Sequence, residues 1–374
     1  MLVAADDRDR FGVDLVGAQK GMTALEGIIR DQITRFGPIS VADYMTLCLL
    51  HPQHGYYITG DPFGAAGDFI TAPEISQMFG EMLGLVLVQC WQDQGCPTSF
   101  ILAELGPGRG TLMADVLRVG AKVPGFVAAA EIWLVEASPA LQAIQQNMLA
   151  GFQVNWVRQM TELPDRPLFL LANEFFDALP VRQFVRAETG WQEQMVGLSD
   201  GRLAFGLAAA MTVEALEDQA ATARIGHVVE TNAAAQGIVR DVARRIAAHG
   251  GMGLIVDYGS WGSDGDTLQA LRRHQKQSPL AYPGEADLTA HVDFAALARA
   301  AKGVAVTGLT PQGVLLERLG ITARAQALAG SLSGAALENH IAAHHRLTHP
   351  DEMGSLFQAL ALYPADSPAP PGFD

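Results

Sequence analysis

The chain has 374 residues, a formal net charge of −15, and 49% hydrophobic against 17% charged residues. That length exceeds what one core usually serves, and the composition is that of a globular protein, so a main domain with a substantial accessory region is expected. The acidic balance, without a dense Lys/Arg run, argues against a nucleic-acid partner, because backbone binding needs clustered cations, and suits a basic protein substrate.

Residues 1–21 carry acids where a secretory signal would have a cationic start and an apolar core. They read as an upstream start or a loose, disordered leader ahead of a fold that begins near Met22, and a cytoplasmic location is expected. Thr23 to Phe36 has apolar positions at Leu25, Ile28, Ile29 and Ile33, a helical spacing broken by Gly37 and Pro38. Ser40 caps a second helix, with Asp43 three residues on. His51 to Glu74, rich in Gly, Pro and aromatics, is too long for plain connection and reads as a functional flap. Pro73 then starts a long helix, Glu74 to Gln92. Together 22–97 make an N-terminal helical cap and lid.

From Phe100 the pattern alternates. Phe100 to Ala103 is a buried strand ending in Glu104, and Thr111 to Arg118 is a helix. Ile132 to Val135 is a strand ending in Glu136, followed by a helix from Pro139 to Leu149. Val154 to Val157 and Leu168 to Ala172 are further strands, the last running into Asn173 and Glu174. Phe184 to Val185, Trp191 to Val196 and Leu203 to Phe205 read as short antiparallel strands within an insertion at about 181–232. A helix from Ala233 to His249 precedes the strand Gly253 to Asp257, and a helix from Phe294 to Ala301 precedes the strand Val304 to Thr310. Residues 98–310 form the core domain on this reading, 311–363 supply helices and a final edge strand (Leu356 to Leu362), and 364–374 a disordered tail. Strands alternating with helices indicate an α/β fold with a parallel sheet, whose ligands sit at the carboxyl ends of the strands. Glu104, Glu136, Asn173 with Glu174, and Asp257 all fall there.

Gly106, Pro107, Gly108, Arg109 and Gly110 turn tightly between the first of these strands and its helix. Glycines there let the backbone pass close to a ligand. The spacing is Gly-x-Gly-x-Gly rather than the Gly-x-Gly-x-x-Gly of dinucleotide binders, and Glu104, two residues ahead, would repel a pyrophosphate. An acid suits a cationic ligand instead, and S-adenosylmethionine carries an ammonium and a sulfonium. A nicotinamide dehydrogenase is disfavoured on the same grounds. Glu136, ending the second strand, is placed to accept both hydroxyls of a ribose; the alternative is an ordinary surface acid.

ELGPGRGTLMADVLR, preceded by GDFITAPEISQMFGE and followed by NEFFDALPV, VDYG and GEADLTAHVDF, resembles the MidA-like methyltransferase family over about Gly37 to Tyr363. The resemblance implies a class I, Rossmann-like fold, with a seven-stranded sheet and a terminal antiparallel hairpin. It implies S-adenosylmethionine as cofactor. It also implies protein arginine methylation of a respiratory complex I subunit, the mitochondrial member being an assembly factor for that complex. Cofactor contacts are then expected from Glu104, Gly106, Pro107, Gly108, Gly110, Glu136, Asn173 and Thr71, with GDFITAPEIS as a lid. The alternative function is an assembly or binding factor with little turnover. A protein substrate, a homodimer and no membrane insertion complete the expected associations.

Arginine makes a difficult nucleophile, since full deprotonation at neutral pH would cost roughly 7–8 kcal/mol. Carboxylates that hold the guanidinium and take its proton are therefore expected. Glu174 and Asp177 are the first candidates and Asp257 the third, with Asp68, Phe69, Glu74 and Tyr258 as substrate contacts. The bland alternatives are that Asp177 caps a turn, that Asp257 anchors a loop through backbone amides, and that Phe175, Phe176 and Tyr258 simply pack. The His51/His54 pair and the His344, His345 and His349 group lack the further ligands of a zinc site, so no metal is expected. Cys48, Cys90 and Cys96 are read as reduced, buried thiols.

Overall fold

The computed structural model describes Val3–Ala4 and residues 22–59, 71–220, 223–263 and 265–373. Two compact units divide the chain. One comprises Met1–Pro62, Ala178–Ala234 and Ser263–His291, and the other Phe63–Asp177, Ala235–Gly262 and Val292–Asp374.

The second unit carries the alternating pattern. Its strands are β1 (Phe100–Leu105), β2 (Ala130–Val135), β3 (Val154–Val157), β4 (Leu168–Asn173), β5 (Gly251–Ser260), β6 (Ala305–Val306) and β7 (Phe357–Tyr363). They lie in the order β3-β2-β1-β4-β5-β7-β6. β1 to β5 pair in parallel, whereas β7 runs antiparallel to both β5 and β6. All six residues of β1 and of β4 are buried, as befits central parallel strands covered on both faces. The chain leaves β1 toward β2 on one side and later returns to β4 on the other. The carboxyl ends of β1 and β4 therefore open at the switch in strand order, where α/β sheets bind ligands.

The helices that cover the sheet follow their sequence logic. α1 (Ala72–Ile75) and α2 (Gln77–Asp93) replace the single helix expected over Glu74 to Gln92. Ser76 is extended, at φ −160°, and its hydroxyl caps the second helix by accepting the Met78 N–H at 3.2 Å. α2 packs closely on α3 (Thr111–Gly120), because a Cβ on Gly80 would stand only 2.5 Å from Cβ of Asp115. Beneath them Trp91, Phe100, Phe126 and Phe169 form an aromatic core with ring centroids 5.0–6.3 Å apart. α4 (Pro139–Met148) is capped by Ser138 and begins on proline.

Several expectations are corrected. β7 is not an edge strand, since β6 and the bridge Thr310–Pro311 pair with its outer side. Those two short pieces also replace the continuous strand expected over Val304 to Thr310. The tail expected to be disordered is described through Phe373, which is buried in the core, and its Gly372 carbonyl accepts a hydrogen bond from Arg318. Cys96 is exposed rather than buried.

The first unit holds an antiparallel sheet. Strands at Arg182–Arg186, Trp191–Ser199 and Arg202–Leu207 form a meander, and Val228–Thr231 pairs with the first of them. Val3–Ala4, placed in the loose leader by the sequence reading, pairs with Leu207 and Gly206. The rest of 5–21 lies outside the described residues. A buried row of Gln194, Gln183 and Glu230 crosses this sheet, each amide or carboxylate bonded to the next. Polar groups inside a sheet persist when paired in this way.

Candidate active site

Gly106, Gly108 and Gly110 all adopt left-handed backbone, at φ 60°, 53° and 87°. Gly106 also lacks room for a side chain, and Gly110 packs at ordinary contact distance. A Cβ on Gly106 would meet the Phe175 ring at 2.8 Å, and one on Gly110 would touch Gln145 at 3.5 Å. The turn thus packs between two neighbours, and its open side faces a solvent-open cavity. Thr71, Pro73, Glu74, Glu104, Gly106 to Arg109, Thr111, Leu112, Asn173 and Glu174 line it, gathering most of the expected cofactor residues.

Glu104 is 3% exposed, and burial pushes its pKa up to about 8, with Asp115 and Glu136 adding repulsion. Its Oε2 is buried without a hydrogen-bond partner among the described residues, and so is Oδ1 of Asn173. Two orphan acceptors on one cavity wall are costly unless a donor-bearing ligand meets them. Glu136 is buried as well, not a surface acid. Its Oε1 accepts the Ser138 N–H at 2.7 Å and its Oε2 accepts from Gln145 Nε2 at 3.2 Å. Burial raises its pKa, and these two donors oppose the rise. Gln145 escaped the sequence reading. Its one signal was a polar residue spaced one helical turn from Leu141 and from Leu149, both of which are buried.

Glu174 follows β4 in left-handed backbone, at φ 51°, uncommon for a residue with a Cβ. Its Oε1 accepts the Ala72 N–H and the Asn173 Nδ2–H, both at 3.0 Å. Burial pushes its pKa up to about 7 against those donors and against Arg346, a cation the sequence reading did not single out. Asp257 takes the structural alternative. Its Oδ2 accepts the N–H groups of Phe175, Phe176 and Asp177 at 2.8–3.3 Å, and its Oδ1 accepts that of Tyr258 at 2.9 Å. It is fully buried, which raises its pKa to about 7 with help from Glu174. Asp257, expected as third proton acceptor, thereby anchors the loop after β4. Asp177 is buried on that loop at 7% exposure.

The expected substrate contacts divide. Glu74 lines the cavity but accepts a hydrogen bond from the Thr111 hydroxyl. Tyr258 packs edge-on against Phe357 at 5.8 Å. Phe176 is core, whereas Phe175 supports the glycine turn. Asp68, Phe69 and the lid residues 67–70 lie outside the described residues. The histidines form stacked pairs, His51 with His54 and His345 with His349.

Residues 82–314 match a family described as S-adenosyl-L-methionine-dependent methyltransferases. The chain belongs to that methyltransferase family. Among its relatives is the rat "Protein arginine methyltransferase NDUFAF7, mitochondrial", 39% identical over 89% of this chain and 83% of that one. The human protein of the same name is 36% identical over 93% of this chain and 85% of its own length. A Burkholderia thailandensis protein solved with S-adenosyl-homocysteine bound matches at a TM-score of 0.78 and 28% identity, covering 94% of this chain and 92% of that one. The rat and human relatives are named mitochondrial, which overturns the expected cytoplasmic location. The methyltransferase cofactor fits the cavity by donor count, since an ammonium, ribose hydroxyls and an adenine amino group supply what the orphan oxygens of Glu104 and Asn173 lack.

Proposed function

We propose that this methyltransferase is a protein arginine N-methyltransferase acting on a subunit of respiratory complex I. The observation that carries the reading is Glu174, a carboxylate on the cavity wall shared with the glycine turn, whose pKa burial raises to about 7. Support for arginine comes from the names of the rat and human relatives.

In this reading Glu104 pairs with the ammonium of the cofactor, Glu136 accepts its ribose hydroxyls, and the bare backbone of Gly106 and Gly108 lies against it. Bound there, S-adenosylmethionine supplies a methyl carbon already activated by its sulfonium. Glu174 and Asp177 would hold the guanidinium of the substrate, and Glu174 would take its proton as the new nitrogen–carbon bond replaces the methyl carbon's bond to sulfur, the thioether being the leaving group. Raising a carboxylate from 4.5 to about 7 reduces the cost of that transfer by about 3 kcal/mol at 1.36 kcal/mol per unit. Alignment of the two reactants supplies much of the rest, on the order of 7–11 kcal/mol. A homodimer belongs to the same proposal and is read by light scattering of the purified protein.

The test compares the proteome of the host with and without this protein by mass spectrometry. An arginine peptide of complex I that loses a mass of about 14 or 28 units, one or two methyl groups, is the expected result. Complex I assembly that fails with every arginine mass unchanged would instead favour an assembly factor with little turnover.

A further inference from the structure

We infer that Gln145 is the positioning residue that holds the glycine turn and the Glu136 carboxylate in one fixed relation. The inference rests on the proposed contacts of the turn and of Glu136 with the cofactor. Gln145 stands on α4 with 0% exposure, and its amide is fully used. Nε2 donates to the Gly108 carbonyl at 2.7 Å and to Glu136 Oε2 at 3.2 Å. Oε1 accepts the indole N–H of Trp156, on β3, at 2.9 Å.

The three bonds leave the amide one orientation. An indole nitrogen only donates, so Oε1 must face Trp156 and both protons of Nε2 must face the two acceptors. The aliphatic part of the same side chain lies 3.5–3.7 Å from where a Cβ of Gly110 would stand, so it also backs the last glycine of the turn. One residue thereby links the turn after β1, the end of β2, and β3. Leu141 and Leu149, one helical turn to either side, are apolar and buried. An apolar residue at 145 would complete that stripe without desolvating an amide, so packing alone does not account for glutamine. What accounts for it is the pair of acceptors. With Ser138 N–H on Oε1 and Gln145 on Oε2, the Glu136 carboxylate is oriented before any ligand arrives. Preorganisation of this kind reduces the ordering cost of binding.

The test uses Gln145→Met and Gln145→Glu in the full chain, with S-adenosylhomocysteine binding measured by calorimetry between pH 6 and pH 8. Gln145→Met retains length and loses both donors, and its Kd should rise about tenfold to a hundredfold, the range for leaving buried acceptors unmet. Gln145→Glu is isosteric. Ionised, it turns a carboxylate toward Gly108 O and Glu136; protonated, it recovers one donor. Its Kd relative to the wild type should therefore improve as pH falls, while the same ratio for Gln145→Met does not improve. A residue that only packs would leave Gln145→Met, which keeps length and apolar bulk, at the wild-type Kd. Wild-type affinity in Gln145→Met, or equal pH ratios for the two variants, would overturn the inference. Where Gln145→Met does not fold, a Gln145→Glu ratio that stays flat with pH overturns the inference. Glu136→Ala separates the two readings: an unchanged Kd there removes the ribose placement, whatever Gln145 does.

Discussion

Glu174 accepts the backbone N–H of Ala72 at 3.0 Å, although the two residues are 102 positions apart. Thr71, the N-cap residue of α1, makes no capping hydrogen bond with its own side chain. A carboxylate from the far end of β4 therefore meets an N–H that the helix leaves unpaired, and its charge suits the positive end of the helix. The proposed proton acceptor and the entrance to α1 are one unit.

Glu174→Gln keeps a neutral acceptor for Ala72 and loses the base. Its affinity for S-adenosylhomocysteine should stay within about threefold, and turnover should fall about 10²- to 10⁴-fold. Glu174→Ala also removes the tie to α1, and should lose about 1 kcal/mol of stability in addition. Denaturant unfolding and turnover assays on the identified substrate check both. Normal turnover in Glu174→Gln would move the base elsewhere.

Asp257 accepts four backbone N–H groups, so Asp257→Asn must turn an amide donor toward at least one of them. A stability loss of about 3 kcal/mol or more is expected, from several lost charge-assisted bonds. Urea titration reads it. An Asn variant as stable as the wild type but inactive would return Asp257 to proton transfer.

Gly106→Ala meets two obstacles, a φ of 60° and the Phe175 ring 2.8 Å from the new Cβ. The left-handed backbone alone costs about 1–2 kcal/mol. Calorimetry should show S-adenosylhomocysteine binding at least tenfold weaker. The double variant with Phe175→Ala relieves the clash and not the backbone, so it should recover binding only in part. Gly108→Val, a β-branched residue at φ 53°, should abolish binding.

Burial raises Glu104 to about 8, Glu174 and Asp257 to about 7, and Asp115 to about 6. Each folded-state value exceeds its unfolded one, so between about pH 4.5 and pH 8 the folded chain binds more protons than the unfolded chain. Stability without ligand should accordingly fall as pH rises from 5.5 to 8.5, which melting curves measure. A cation beside Glu104 favours its ionised form, so cofactor binding at pH 7 should release a proton and tighten toward pH 8. Calorimetry in buffers of different ionisation enthalpy detects that proton. Proton uptake, or none, would remove Glu104 from the ammonium.

The residues themselves determined the seven-stranded core to a large degree. Continuous apolar runs such as Phe100 to Ala103 and Leu168 to Ala172 suit strands covered on both faces, and clustered glycines suit a tight turn. The acids at strand ends followed from that pattern, because the end of a parallel strand is a position along the chain. What tertiary structure alone decided is which groups meet. Gln145 reaches Gly108 across 37 positions, Glu174 reaches Ala72 across 102, and Asp257 reaches Phe176 across 81. The gathering of 1–62, 178–234 and 263–291 into one unit belongs to the same class, as does the burial of Phe373. Local periodicity records which face of an element is apolar. It holds no record of the neighbour that face will meet, since strand order and helix packing set that only once the sheet has closed.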